Sequence, residues 1–217
     1  MIGYNHTRTW NWLAWSKTLF MTVTSGIQVG DCTKTTPKGT KMWNVFYPHF
    51  LINNVAELTP ERLRELDVEN LLLDVDCTLK QYENQEPEPE IREWLKKIKS
   101  AGFKFCLLSN GVGKRIGKFA ELIGAPYIAK ACKPFPKGCR RAIAEFHFDP
   151  AKTVLVGDQI FADIMAGRLV GIRTILTKPI SPEQEHWFTR IKRPFEKIVL
   201  RSFKQRFPDG IWLASEE

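Results

Sequence analysis

No stretch of the chain reaches the roughly 18 uncharged apolar residues that a membrane-crossing helix needs, which excludes a multi-span membrane protein. The five cysteines, Cys32, Cys77, Cys106, Cys132 and Cys139, are an odd number with no CxxC pair, and the spacing of Cys132 and Cys139 fits no common zinc pattern. They read as reduced thiols of a reducing, cytoplasmic compartment. His6, His49, His147 and His186 lie far apart and form no HExxH, so zinc chemistry is set aside. No GxSxG occurs, and nothing supports a serine hydrolase. Internal repeats and low-complexity tracts are also absent. What is left is 217 residues, 43% hydrophobic and 26% charged, the mix of an ordinary globular protein. That length suits one α/β domain with extensions, and its core needs no disulfides.

Acidic residues are scarce at the two ends. Residues 1–45 carry Arg8, Lys17, Lys34, Lys38 and Lys41 against Asp31 alone, a net +4. Residues 178–206 carry eight bases against Glu183, Glu185 and Glu196, a net +5 within the chain's +8. Basic ends either serve solubility alone or attract polyanions, and among polyanions an anionic membrane surface ranks above nucleic acid here. Trp187, Phe188 and Phe195 are aromatics for headgroup depth, with packing against the sheet the expected use of at least one. A peripheral position on the inner face of a membrane is therefore expected beside the cytoplasmic reading.

Residues 1–41 form an N-terminal extension distinct from the domain at 42–217. They are rich in Ser and Thr, and Trp10, Trp12 and Trp15 share an apolar stretch without a clean helical face. A targeting segment for an organelle, an interfacial anchor and a disordered extension all stay open, as does Met42 as an alternative start.

From Leu71 onward the pattern is regular. Short apolar runs at Leu71–Val75, Phe103–Leu108, Tyr127–Ala129, Thr153–Val156 and Arg173–Leu176 have the length and bounding turns of strands buried on both faces. Between them, Ile91, Trp94, Leu95 and Ile98, and then Ile116, Phe119, Ala120 and Ile123, repeat at i, i+3, i+4, i+7, each set stopped by a glycine. Residues 137–147 and 160–170 predict two more helices, and 182–206 predicts a last one broken at Pro194. The alternation predicts an α/β fold with a doubly wound parallel sheet.

In such a sheet, ligands bind beyond the carboxyl ends of the strands. The first run ends in Asp74, Asp76 and Thr78, the second in Ser109, Asn110 and Gly111, and the fourth in Gly157 and Asp158, with Asp163 following; Lys133 comes after the third. Asp74 and Asp76 are two apart and project to the same side. Carboxylates held that close repel unless a cation lies between them, and an all-oxygen set favours Mg²⁺. Ser109 and Lys133 then supply a hydroxyl and a positive charge for phosphate oxygens, nearly all that phosphoryl transfer requires of a protein.

These segments resemble, in order, the four motifs of the haloacid dehalogenase-like (HAD) phosphatases. Asp74-Val75-Asp76-Cys77-Thr78 resembles DxDxT, Ser109-Asn110-Gly111 the second motif, Lys133-Pro134 the third, and Gly157-Asp158 through Asp163 the fourth, GDxxxxD. The resemblance implies an HAD-like Rossmannoid fold with Asp74 as nucleophile, forming an aspartyl phosphate, and Asp76 as general acid/base. It implies Mg²⁺ held by Asp74, Asp158 and the backbone carbonyl of Asp76. Phosphate would be held by Ser109, Asn110 and Lys133, with Thr78, Gly157 and Asp163 in support. Cys77 departs from the pattern, which more often has Gly, Asn or Ser there. Thirty residues lie between Thr78 and Ser109 and 23 between Ser109 and Lys133, too few for a cap domain. The capless spacing, with Asn44–Phe50 and Leu58–Glu61, resembles the YqeG-type branch of subclass IIIA, which includes phosphatidylglycerophosphate phosphatases. The implied substrate is a lipid phosphate. A soluble sugar or nucleic-acid phosphate, and a non-catalytic surface-binding module on the same scaffold, are the alternatives.

Two further signals in the sequence are weaker. Gly111-Val112-Gly113-Lys114-Arg115-Ile116-Gly117 is not a dinucleotide loop, since its third glycine comes one residue late and no acid follows at the needed distance. Its Lys114 and Arg115 suit an anion at a helix start. A phospho-signalling receiver domain would lack the GDxxxxD element.

Overall fold

A computed structural model describes residues 43–182 and 187–207, without the side chains of Trp43, Trp187 and Phe188. The expectations for residues 1–41, for Met42 and for the two aromatic side chains at 187 and 188 lie outside the described residues.

Six parallel strands form one sheet: β1 (Phe50–Leu51), β2 (Asn70–Leu73), β3 (Lys104–Leu108), β4 (Tyr127–Ile128), β5 (Thr153–Gly157) and β6 (Arg173–Leu176). Their order is β1-β6-β5-β2-β3-β4. The chain steps outward from β2 through β3 to β4, then returns to lay β5 on the other side of β2. That reversal opens a crevice at the carboxyl ends of β2 and β5, where open α/β sheets bind ligands. Five of the strands coincide with the apolar runs. β1 is additional: two residues at the edge, paired to β6 through Phe50 with Ile175 and Leu51 with Leu176.

The strands read as apolar runs because both faces are covered. Leu71 and Leu73 point into a cluster with Leu63 of helix α1 (Pro60–Glu65) and with Ile91, Trp94, Ile98, Ile116 and Phe119, from helices α2 (Pro89–Ser100) and α3 (Gly113–Ile123). Leu72 points the other way, onto Cys139 and Ala142 of α4 (Lys137–Glu145) and Ala166 of α5 (Met165–Val170). All three leucines of β2 are fully buried, each worth about 1.5–3 kcal/mol. Only α2 stands between β2 and β3, and only α3 between β3 and β4, so neither place holds a cap domain. Cys106 and Cys139 are free thiols that burial pushes up to about 12, which leaves them protonated and inert.

The last helix corrects one expectation. α6 (Trp187–Arg206) runs unbroken through Pro194. The proline removes one backbone donor, but contacts on both sides of it hold the helix to the same surface. Arg193 is bonded to Asp158, Glu196 to the Phe161 amide, and Val199 and Phe203 are buried with Tyr47, Leu51, Ile160 and Leu176.

Candidate active site

Asp74 follows β2 directly and extends its ladder, its amide donating to Val156 O at 2.9 Å. The chain then turns so tightly that Cys77 takes the left-handed conformation, φ +63°. Cys77 donates to Lys80 O at 2.8 Å, and its carbonyl accepts from Ile180 N at 2.7 Å. Glycine and asparagine enter this region at least cost, so the substitution noted in the first motif falls on the residue where turn geometry is most demanding.

Lys133 organises the centre. Its Nζ donates to Asp74 Oδ1 at 2.5 Å, Asp163 Oδ1 at 2.6 Å and Leu108 O at 2.8 Å. Asn110 sets the lysine's backbone, accepting from Lys133 N at 2.7 Å and donating to Lys133 O at 2.9 Å. The Asn110 carboxamide, expected at the phosphate, is thus engaged with the main chain of the third motif. Ser109 is buried, and its Oγ accepts from Gly111 N at 3.0 Å. Asp158 accepts from Thr78 Oγ1 at 3.3 Å, and Asp163 also accepts from Gln159 N at 3.1 Å.

Carboxylate oxygens of Asp74, Asp158 and Asp163 lie within 4.8 Å of one another, all three side chains buried. Burial pushes the Asp74 carboxyl well above the usual carboxylate range; Lys133 opposes this, while Asp163, Asp158 and Asp76 add to it. Burial alone would discharge Lys133, yet Asp163 and Asp74 more than offset it and raise its pKa. Three buried acids share two cations, Lys133 on Asp74 and Asp163 and Arg193 on Asp158, and so are still short of positive charge. An oxygen-only donor set of this kind fits a hard divalent cation. Asp163, expected only in support, belongs to this cluster.

The Asp76 carboxylate turns the other way. Both of its oxygens accept from Arg115, each at 2.6 Å, and Lys80 Nζ lies 3.0 Å from Oδ1. Burial would push Asp76 up, but Arg115 and Lys80 outweigh it and hold the carboxyl below its ordinary range. Arg115, grouped by sequence with Lys114 as an anion-binding base, is therefore a partner of the first motif. Lys80 was not singled out by sequence at all: it is 1% exposed and also donates to the carbonyls of Gln81 and Tyr82. Its signal was its place four residues after Asp76. Arg193, bonded to Asp158 from α6, gave no motif signal and read as one more surface base.

The chain is similar to known proteins over much of its length. A family model for haloacid dehalogenase-like hydrolase matches residues 5–171, extending into the N-terminal segment for which the motifs offer no counterpart. The "Probable phosphatase YqeG" of Bacillus subtilis (strain 168) is 32% identical over 161 residues, 74% of this chain and 93% of that protein. "Phosphatidylglycerophosphate phosphatase 1, chloroplastic/mitochondrial" of Arabidopsis thaliana is 24% identical over 170 residues, 73% of this chain and 48% of that protein. A crystal structure of an uncharacterized protein from Listeria monocytogenes serotype 4b has a TM-score of 0.43 at 17% identity, covering 62% of this chain and 99% of that one. With its four motif segments meeting at the strand ends around Lys133, the chain belongs to the haloacid dehalogenase-like hydrolases and is a phosphatase of that family.

Proposed function

We propose that the protein is a Mg²⁺-dependent phosphomonoesterase that works through an aspartyl phosphate and removes the phosphate of a lipid-type ester at an anionic membrane surface. An Asp74 oxygen attacks phosphorus, the ester P–O bond breaks, and the leaving oxygen takes a proton from Asp76, once that carboxyl has let go of Arg115 and Lys80 and taken up a proton from water. Asp76 then takes a proton from water, the water oxygen attacks phosphorus, and the bond to Asp74 breaks to release inorganic phosphate. Lys133 and Ser109 hold phosphoryl oxygens, and Lys133 keeps Asp74 in register with Asp163. A Mg²⁺ ion held by Asp74, Asp158 and the Asp76 carbonyl, with Asp163 beside them, would supply positive charge against the phosphoryl oxygens.

The observation that carries the lipid reading is the outer face of α6. Ile191, Phe195 and Ile198, at i, i+4 and i+7, are 58%, 61% and 63% exposed, with exposed Arg190, Lys197, Arg201 and Lys204 on the same helix. An apolar stripe set among bases has the form of a helix lying in an anionic interface. Among the described residues no helix is long and apolar enough to cross a membrane. A cleft of about 490 Å³ beside Asp158 adds support, for its walls combine Leu51, Ile160 and Leu200 with Lys178 and Lys197. That combination suits an ester with an apolar body and an anionic head. The relative from Arabidopsis carries phosphatidylglycerophosphate in its name.

The test is turnover of an aryl phosphate and of a lipid-phosphate panel, with Mg²⁺ and with EDTA, for wild type and Asp74→Asn. Wild type should need the metal and prefer the lipid esters, and the variant should lose several orders of magnitude. Full activity in EDTA rejects the metal. Activity of Asp74→Asn within about tenfold of wild type rejects the nucleophile, given that expected loss. A preference for short soluble esters moves the substrate to a soluble sugar or nucleic-acid phosphate.

A further inference from the structure

α6 reaches the acid cluster through Arg193. Its Nη1 donates to the Asp158 carbonyl at 2.7 Å and to Glu196 Oε2 at 2.9 Å, and its Nη2 donates to the Asp158 carboxylate. Glu196 is buried, and its other oxygen accepts from Phe161 N at 3.1 Å. The guanidinium therefore grips both the main chain and the side chain of Asp158, while Glu196 fixes the guanidinium and ties α6 to the loop that follows. Thr78 Oγ1 completes the hold on the second carboxylate oxygen. Lys133 restrains Asp74 and Asp163; Arg193 does the same for Asp158, the third acid of the cluster.

We infer that Arg193 is a positioning residue for the cation site, so that docking of α6 is a condition of tight divalent-metal binding; this rests on the reading of Asp158 as a cation ligand. Three buried carboxylates repel, and an acid free to rotate would relieve the repulsion by swinging out of the cluster. Holding it in place beforehand removes that cost from metal binding. A carboxylate oxygen has more than one acceptor direction, so a guanidinium on Asp158 leaves room for a cation on the same group. Partners that orient ligands typically contribute tenfold to a hundredfold in metal affinity. The arrangement also joins the two faces of α6. Its inner face completes the metal site, and its outer face carries the exposed apolar stripe.

Direct titration of Mn²⁺, followed by its electron paramagnetic resonance signal on the full chain without substrate, tests this in wild type, Arg193→Ala and Arg193→Lys. The dissociation constant should rise roughly tenfold to a hundredfold in Arg193→Ala and recover in part in Arg193→Lys, which reaches fewer acceptors at once. Melting temperature is read in parallel, because a merely structural arginine would lower it and leave the affinity of the folded protein unchanged. Should Arg193→Ala not fold, Glu196→Gln, which loosens the guanidinium without removing it, should weaken Mn²⁺ in the same direction. Unchanged affinity in the folded variants overturns the inference, and tighter binding overturns it in favour of a guanidinium that competes with the cation. Absence of Mn²⁺ binding in wild type overturns the cation reading as well, which separates the two failures.

Discussion

Gly157 and Asp163 approach so closely that a Cβ built on the glycine would lie 2.3 Å from Asp163 Cγ and 2.4 Å from Oδ2. The glycine at the end of β5 is therefore what lets the last acid of the fourth motif fold back against the strand and meet Lys133. Gly157→Ala should push Asp163 off the lysine, at a cost of about 1–3 kcal/mol in stability. Turnover should fall with it. Melting and aryl-phosphate kinetics on the same preparation check this, and wild-type values in both would show that the loop absorbs the methyl group without moving the acid.

Removing Lys133 should be more severe. Lys133→Met leaves Asp74 and Asp163 buried without their shared cation, and breaking a buried pair from one side costs about 3–5 kcal/mol. Divalent metal should restore part of the loss, because it puts positive charge back into the cluster. Chemical denaturation with and without Mg²⁺ measures both effects. A variant as stable as wild type in EDTA would contradict the charge balance described for the site.

His49 predicts a loss of stability in mild acid. Its Nδ1 accepts from Thr174 N at 3.0 Å, and its Nε2 faces Arg168 Nη1 at 2.6 Å. Burial, then Arg168 and Arg173, push its pKa down to about 3 from 6.5. Between those values the unfolded chain binds a proton that the folded chain refuses. The stabilisation is thus complete above pH 6.5 and is lost as pH falls towards 3. His49→Gln should be less stable at neutral pH but should lack this component, worth roughly 2–4 kcal/mol for a partly buried ring. Denaturation midpoints from pH 7 to pH 4 decide it; parallel curves would remove His49 from the account.

Replacing Ile191, Phe195 and Ile198 together by serine should leave the fold intact, since all three side chains are exposed. Sedimentation with anionic vesicles should weaken at least about tenfold, a conservative figure for three large apolar groups. Wild-type binding should also fall steeply with salt, because exposed charges are screened within about 10 Å at ~0.1 M. Equal binding to neutral and anionic lipid, or none to either, retires the membrane surface. Binding that survives the serines but not truncation to Met42 shifts the anchor to residues 1–41.

The sheet and the acids could be read from the sequence for a local reason. Leu71 to Leu73 are apolar in succession because both faces of β2 are covered, and that run ends at Asp74, a buried acid just past the strand. Strand-end residues of a parallel sheet converge whatever lies between them, so Asp74, Ser109, Lys133 and Asp158 were legible as a group from order and spacing alone. β1 was not, because two residues at a sheet edge leave no periodicity. Tertiary contact decided the partners. Lys80 is i+4 from Asp76 like many a surface lysine, and only the left-handed turn at Cys77 folds it inward. Pro194 marks a local break that remote bonds override. Arg193 is one base among eight in its segment, and what distinguishes it is that α6 lands on the end of β5, a fact of packing across 35 residues that no local pattern encodes.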